Sequence, residues 1–336
     1  MRFVVYGAGA IGGVLGARLS SSGHDVTLVA RGAHYEAIRD GGLTVRTPEG
    51  TEVARIAVVD DPQRLELRSD DVVLVSVKGQ DTPAVLRALA AHAPPSVAVA
   101  CVQNGVENER AALRLFENVY GVCVMSPCVH LEPGVVEVYS SPLAGILDVG
   151  RYPAGSDSVA DAIAEAFRAS TYASESRGDI MRWKYRKLLH NLGNAVEAIC
   201  GPQARAGRIS DLAEEEGEAC LRAAGVDFAS AEEDEVRRGD LVTRRPVGDR
   251  ARPGGSSWQS LSRSTGTIET DYLSGEIVML GRLHGVPTPV NSVLQLLATR
   301  IAAERRPPGS VPAEEALRLA GVSGPSGASG VQASSA

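Results

Sequence analysis

The chain has 336 residues and carries 34 Lys and Arg against 41 Asp and Glu, a net charge of −7 that argues against a basic nucleic-acid-binding face. A hydrophobic share of 44% beside 22% charged residues excludes general disorder, and 4% aromatic residues are too few for stacking on bases or sugars to be the main activity. No apolar run approaches the roughly 20 residues that span a bilayer, so no membrane partner is expected.

Phe3–Tyr6 is apolar and leads to a helical stretch from about Ala10 to Ser21, then to the apolar run Asp25–Ala30 and a helix beginning near Ala33. Leu43–Val45 and Val53–Val59 flank Thr47-Pro48-Glu49-Gly50 and read as a hairpin. Val72–Val77 is a nearly continuous apolar run, as in a strand buried on both faces, and a helix over Pro83–His92 and the run Val97–Val102 follow. This alternation predicts an α/β fold, a Rossmann-type doubly wound sheet, with later strands at Val135–Tyr139 and Ala144–Val149. From Asp179 onward the pattern is helical, over Ile180–Ile199, Ile209–Ala224, Ala229–Arg238, Ile268–His284 and Pro289–Arg305. The boundary falls near Ser176–Gly178, giving a dinucleotide-binding domain over 1–176 and an all-α C-terminal domain over 177–321. The stretch 322–336, mostly Ser, Gly and Ala, reads as a disordered tail.

Chain position gives the motifs their meaning. Gly7-Ala8-Gly9-Ala10-Ile11-Gly12 fits GxGxxG, follows a strand and opens a helix, as a dinucleotide-binding turn requires. The first Gly permits the turn, the second lets a pyrophosphate approach the backbone, and the third packs helix on strand. Arg31 ends the second strand, where an acidic residue would hold the ribose of NADH; a guanidinium suits the 2′-phosphate of NADPH. Lys78, past Val72–Val77, is a second cation on the same sheet edge, or a solvated loop residue. Asn104 in Gln103-Asn104-Gly105 ends another strand and can bond a substrate, although Asn-Gly is also a common turn pair. Lys187, Asn191 and Asn194 sit at i, i+4 and i+7 on one helix face, either a polar site or a solvated stripe. In Gly254-Gly255-Ser256-Ser257, Ser257 can act as a helix cap, and Glu269 can favour a helix start.

The five Cys (101, 123, 128, 200 and 220) form no CxxC pair and read as buried thiols. Cys123 and Cys128 have no partner at zinc-site spacing, so no metal is expected. MRFVVYGAG lacks the layout of a secretory signal, which leads to the expectation of a cytoplasmic protein.

Together the N-terminal GAGAIGG, Arg31, Val77-Lys78, QNG, the KLLxN helix, the paired serines with twelve residues from Ser257 to Glu269, and GVPTPVN resemble the ketopantoate reductase (2-dehydropantoate 2-reductase) family. The resemblance runs from Gly7 to Asn291. It implies an active site between a Rossmann domain and a helical domain, and NADPH-dependent reduction of a 2-oxo acid. It further implies Lys187 as general acid, with Lys184 as backup, and Asn104 and Asn191 as substrate partners; Asn194, one residue before the family's second helix Asn, is a further substrate candidate. By the same resemblance Ser257 is a carboxylate ligand, and Glu269 lies near the substrate hydroxyl and the lysine; Asn104 and Glu269 also border the cofactor. Ala195 stands where the family usually has a second helix Asn, Leu261 where an acidic residue is common, and an Arg-rich stretch fills Arg237–Pro253. An exposed apolar face on the C-terminal helices would allow a homodimer.

Overall fold

A computed structural model describes residues 1–322 of the chain. Strand β1 (Arg2–Tyr6) leads through α1 (Ala10–Ser21) to β2 (Asp25–Val29), α2 (Gly32–Gly41), β3 (Leu43–Thr47), β4 (Gly50–Ala54) and β5 (Ala57–Val59). The alternation continues with β6 (Val72–Val75), α3 (Thr82–Ala90), β7 (Ala98–Cys101), α4 (Asn108–Leu113) and β8 (Asn118–Met125). Then come β9 (Cys128–Val129), β10 (Val135–Val138), β11 (Gly145–Arg151), α5 (Ser158–Ala169) and β12 (Tyr172–Ala173).

Eight strands form one sheet in the order β12-β11-β8-β7-β6-β1-β2-β5, parallel from β8 to β5 with β11 antiparallel to β8. Every residue of β6 and β7 is buried, because helices cover both faces. Leu15 and Leu19 of α1 and Phe167 of α5 pack on one face, while Leu86 and Leu89 of α3 pack on the other. Burial on both sides is why these strands read as unbroken apolar runs. The chain moves outward from β1 through β2 to β5, then returns across β1 to β6. That reversal opens a crevice beyond the carboxyl ends of β1 and β6.

Three expectations need correction. Val53–Val59 is not one hairpin arm: β4 pairs with β3, but β5 leaves to pair with β2 in the large sheet. Strand β10 joins a separate four-stranded sheet, β4-β3-β10-β9, rather than the main one. The sequence reading also passed over β8, whose apolar run is interrupted by Gly121. A Cβ added at Gly121 would lie 3.3 Å from Lys184 Cδ, so this strand glycine marks a close approach.

The second half is helical: α6 (Ile180–Cys200), α7 (Arg208–Ala223), α8 (Ala231–Arg238), α9 (Ser256–Ser262), α10 (Ser274–His284), α11 (Pro289–Ala303) and α12 (Ala313–Leu319). The expected single helix over Ile268–His284 is broken at Leu273 (φ −121°, ψ −90°), leaving a short 3-10 turn at Glu269–Tyr272 before α10. The first turns of α6 lie on the sheet, where Ile180 and Trp183 pack with Cys123, Met125 and Ile146. Further along, Leu188, Leu192, Val196 and Ile199 join the helical core with Leu221 and Leu294. Among the described residues no helix is long and apolar enough to cross a membrane. The tail read from the sequence, 322–336, lies outside the described residues except for Val322.

Candidate active site

The crevice beyond β1 and β6 continues between the sheet and the helical half as one cleft of about 910 Å³. On the sheet side, Gly7 has φ +107°, and a Cβ there would lie 2.8 Å from Val77 Cγ1. A Cβ on Gly12 would strike the Gly7 carbonyl oxygen and lie 2.9 Å from Ser76 Cβ. Beside Gly9, in contrast, nothing lies within 4 Å. Gly9 also begins α1 without any side-chain cap. A helix start facing open space, with backbone able to approach closely, fits the pyrophosphate of a dinucleotide. Ala8, Ala10 and Ile11 line the cleft beside it.

A side chain that sequence reasoning did not single out braces this loop. The Gly134 amide donates to His34 Nδ1 (2.9 Å), so the ring proton is on Nε2, which donates to the Ala8 carbonyl (2.7 Å). Burial lowers the His34 pKa and keeps the ring neutral. His130 packs against it at 4.2 Å between ring centroids.

Arg31 reaches the cleft mouth with its side chain 81% exposed, 3.5 Å from Asp81. Lys78 Nζ lies 3.4 Å from Glu269 Oε2, and the Gly79 amide donates to Glu269 Oε1 (2.7 Å). Glu269 was expected beside the helix lysine; among the described residues the cation it pairs with is Lys78.

Helix α6 forms the opposite wall. Lys187, His190, Asn191 and Asn194 follow helical spacing and all line the cleft. Asn191 Nδ2 donates to Asn104 Oδ1 (2.9 Å), and Asn108 Nδ2 donates to the Asn104 carbonyl (3.0 Å). The structure thus brings Lys187, Asn191 and Asn104 together. Asn194 Oδ1 accepts from Arg205 (2.6 Å), whose other partner is Glu197 (3.0 Å). Among the described residues Lys187 has no ion-pair partner. Burial first, then Arg238 and Arg205, push its pKa down to about 7. Lys187 first, then burial, push His190 down to about 2 and hold it neutral.

Two expected residues sit elsewhere. Ser256 lines the cleft, while Ser257, about 100° further round α9, is buried and off the lining. Lys184 is off the cleft altogether: it is 2.7 Å from Glu109 Oε1 and donates to the Gln103 (2.8 Å) and Val122 (3.2 Å) carbonyls. Held by one ion pair and two hydrogen bonds, it is a buried strut.

The Arg-rich stretch divides its side chains between two tasks. Arg237 bonds the buried Asp148 (2.8 Å from Nε), Arg250 bonds Glu137 (2.6 Å), and the Arg245 amide bonds the Tyr139 carbonyl (3.0 Å), strapping the segment onto the sheets. Arg238, Arg244 and Arg252 line the cleft instead. Their position was not legible from composition; the signal available was a run of arginines leading directly into Gly254-Gly255-Ser256. His190, which beside Asn191 in the sequence reads as a partly buried packing residue, lines the cleft too, three residues on from Lys187 on the same face.

Among the described residues no group of His, Cys, Asp or Glu is placed to hold a metal. Cys123 donates to the Trp183 carbonyl (3.7 Å) and Cys128 lies 3.0 Å from Ser126 Oγ, with burial pushing each thiol up to about 11.

The profile of a family described as ketopantoate reductase PanE/ApbA matches residues 3–153, and that of its C-terminal domain matches residues 179–302. The 2-dehydropantoate 2-reductase of Halobacterium salinarum is 30% identical over 308 residues, covering 86% of this chain and 95% of its own. That of Caulobacter vibrioides is 30% identical over 317 residues, covering 89% and 98%. Among solved structures, a PanE/ApbA family ketopantoate reductase from Ralstonia eutropha superposes with a TM-score of 0.74 at 28% identity, covering 91% of this chain and 99% of that one. D-mandelate dehydrogenase with NADH and anilino(oxo)acetate superposes with a TM-score of 0.78 over the same shares, but at 20% identity this likeness speaks for the fold alone.

Proposed function

The chain belongs to the ketopantoate reductase family, oxidoreductases acting on CH–OH groups, and from that membership we propose that it reduces a 2-oxo acid to the 2-hydroxy acid with NADPH, 2-dehydropantoate being the substrate its relatives' names point to. Residues 1–176 then bind the dinucleotide, and 177–321 supply the substrate side. The observation that carries this reading is the grouping of Lys187, Asn191 and Asn104 across one cleft from an open Gly-rich helix start.

When bound, NADPH supplies the hydride that goes to C2. Lys187 holds its ammonium against the keto oxygen and gives that oxygen a proton, so C=O becomes CH–OH and the lysine is left neutral until water reprotonates it. Asn104 and Asn191 fix each other's amides and so orient the substrate oxygens. Ser256, which faces the cleft where Ser257 does not, is the candidate for the substrate carboxylate. Glu269, tied to Lys78 and the Gly79 amide, links the substrate side to the cofactor side.

Purified protein is expected to oxidise NADPH in the presence of 2-dehydropantoate, followed by loss of nicotinamide absorbance, with kcat of the order of 1–10³ s⁻¹. Tight NADPH binding without turnover of 2-dehydropantoate would leave a reductase of another 2-oxo acid or ketone. A protein that turned over no carbonyl compound would be a cofactor-binding sensor or partner protein. Arg31→Asp is expected to lower the NADPH-to-NADH ratio of kcat/KM about ten- to hundredfold, the loss of one charge-assisted contact. An unchanged ratio would assign the 2′-phosphate to another cation.

A further inference from the structure

The helical side of the cleft carries more positive charge than a single carboxylate can balance. Arg205, Arg238, Arg244 and Arg252 all line it together with Lys187. Only two carboxylates bond these arginines among the described residues: Glu197 on Arg205 (3.0 Å) and Asp234 on Arg238 (2.7 Å). Four guanidiniums against two carboxylates leave a surplus of two, before any proton on Lys187 is counted.

Two of these side chains are also poorly satisfied. Arg238 Nη2 and Arg252 Nε are buried without a hydrogen-bond partner among the described residues. Burial lowers the Arg252 pKa, and Arg244 and Arg205 lower it further, so the cations lie close enough to repel one another. Like charges held together in a partly dry cleft destabilise the free protein unless an anion joins them. The strap described above works against any relief. Arg237, Arg245 and Arg250 fasten the segment to the sheets and hold Arg238, Arg244 and Arg252 toward the cleft.

We propose that the end of the substrate site bordered by Arg238, Arg244 and Arg252 is an anion subsite, and that the preferred substrate is a 2-oxo dicarboxylate. This rests on the reductase reading and narrows it. One carboxylate adjoins the keto carbon near the Lys187 ammonium, and the second meets the arginines and offsets part of their surplus. 2-Dehydropantoate has a neutral hydroxyl at that end and is turned over less efficiently.

The test has a turnover arm and a binding arm. With NADPH, kcat/KM is measured for 2-oxopentanedioate, for its 5-methyl ester and for 2-dehydropantoate. The diacid is expected to exceed the ester, which has the same shape around C2 and one charge fewer, by at least about tenfold. Arg252→Gln is expected to reduce the diacid-to-ester ratio by a similar factor. In the binding arm, glutarate and its monomethyl ester are titrated calorimetrically into protein saturated with NADP+, with glutarate expected to bind at least about tenfold more tightly. Equal values for diacid and ester in either arm overturn the proposal. So does an Arg252→Gln protein that raises the KM for NADPH with the ratio unchanged, because the arginines would then serve the cofactor. Turnover of 2-dehydropantoate with no preference for charge leaves the reductase reading standing without the subsite. Charge-selective glutarate binding with no turnover of any 2-oxo acid leaves the subsite standing and removes the reductase.

Discussion

Lys187→Ala is expected to lower kcat for 2-oxo acid reduction by about 10³-fold, within the range a positioned general acid contributes. The loss should fall on kcat more than on KM, since the proton is needed as the carbonyl accepts hydride rather than on binding. The pH profile is the sharper readout. With its pKa pushed down to about 7, Lys187 is protonated below that value and neutral above it. Reduction consumes the proton, so kcat/KM is expected to be high on the acid side and to decline as pH rises through about 7. Lys187→Arg keeps a cation at the keto oxygen but cannot release its proton, so its residual rate should show no such decline. The same shift has a consequence for stability. Between about 7 and the ordinary 10.5 the unfolded chain binds a proton at this lysine that the folded chain does not, so stability rises with pH across that window. Below about 7 the cost of charging a half-buried lysine is fully present. Lys187→Met should therefore melt above the wild type at pH 6 while being inactive, which separates loss of chemistry from loss of fold. A wild-type activity that rose through pH 7, or a Lys187→Ala protein retaining a tenth of the rate, would remove the lysine from this role.

The second large effect is structural. Lys184→Met is expected to destabilise the protein by about 3–5 kcal/mol, measured by urea unfolding at pH 7.5, because it leaves the Glu109 carboxylate buried without its cation. Burial already raises the Glu109 pKa even with Lys184 present, and without the lysine it must rise further. A carboxylate whose folded pKa is raised binds its proton more readily in the folded state, so the damage should be smallest at acid pH and grow toward neutrality. The double variant Lys184→Met, Glu109→Leu removes both charges and should recover most of the loss. If Lys184→Met alone unfolded at the wild-type urea concentration, the pair would have no structural weight. The pair matters to the site as well as the core. Lys184 holds the Gln103 carbonyl, and the next residue is Asn104, whose side chain meets Asn191.

What was legible in the sequence depended on whether one local rule governed the element. β1, β6 and β7 read correctly as strands because burial on both faces leaves unbroken apolar runs. The Gly-rich turn was legible because its glycines answer to local backbone geometry, here φ +107° at Gly7 and a blocked Cβ at Gly12. Lys187, Asn191 and Asn194 were readable as one face because helical spacing alone puts them there. Tertiary partners defeated the rest. Gly121 hid β8 because its reason is a lysine 63 residues away, and the break at Leu273 is imposed where Glu269 meets the loop after β6. The choice between Ser256 and Ser257 turned on where α9 begins, one residue of helical phase. Lys184 and Lys187 look alike in sequence; burial beside Glu109 separates them.

Helix α6 divides its circumference between holding the fold and meeting the ligand. Leu188, Leu192, Val196 and Ile199 belong to the core, whereas Lys187, His190, Asn191 and Asn194 belong to the cleft. The cleft-facing asparagines bond Asn104 and Arg205, so the two faces answer to different partners. Asn191 and Asn194 are themselves buried and bonded to Asn104 and Arg205, so a change at either must be matched at its partner, and directed evolution toward new carbonyl substrates should begin with these pairs rather than with single positions. Lys187, the proposed general acid, is the point around which the pocket would be rebuilt.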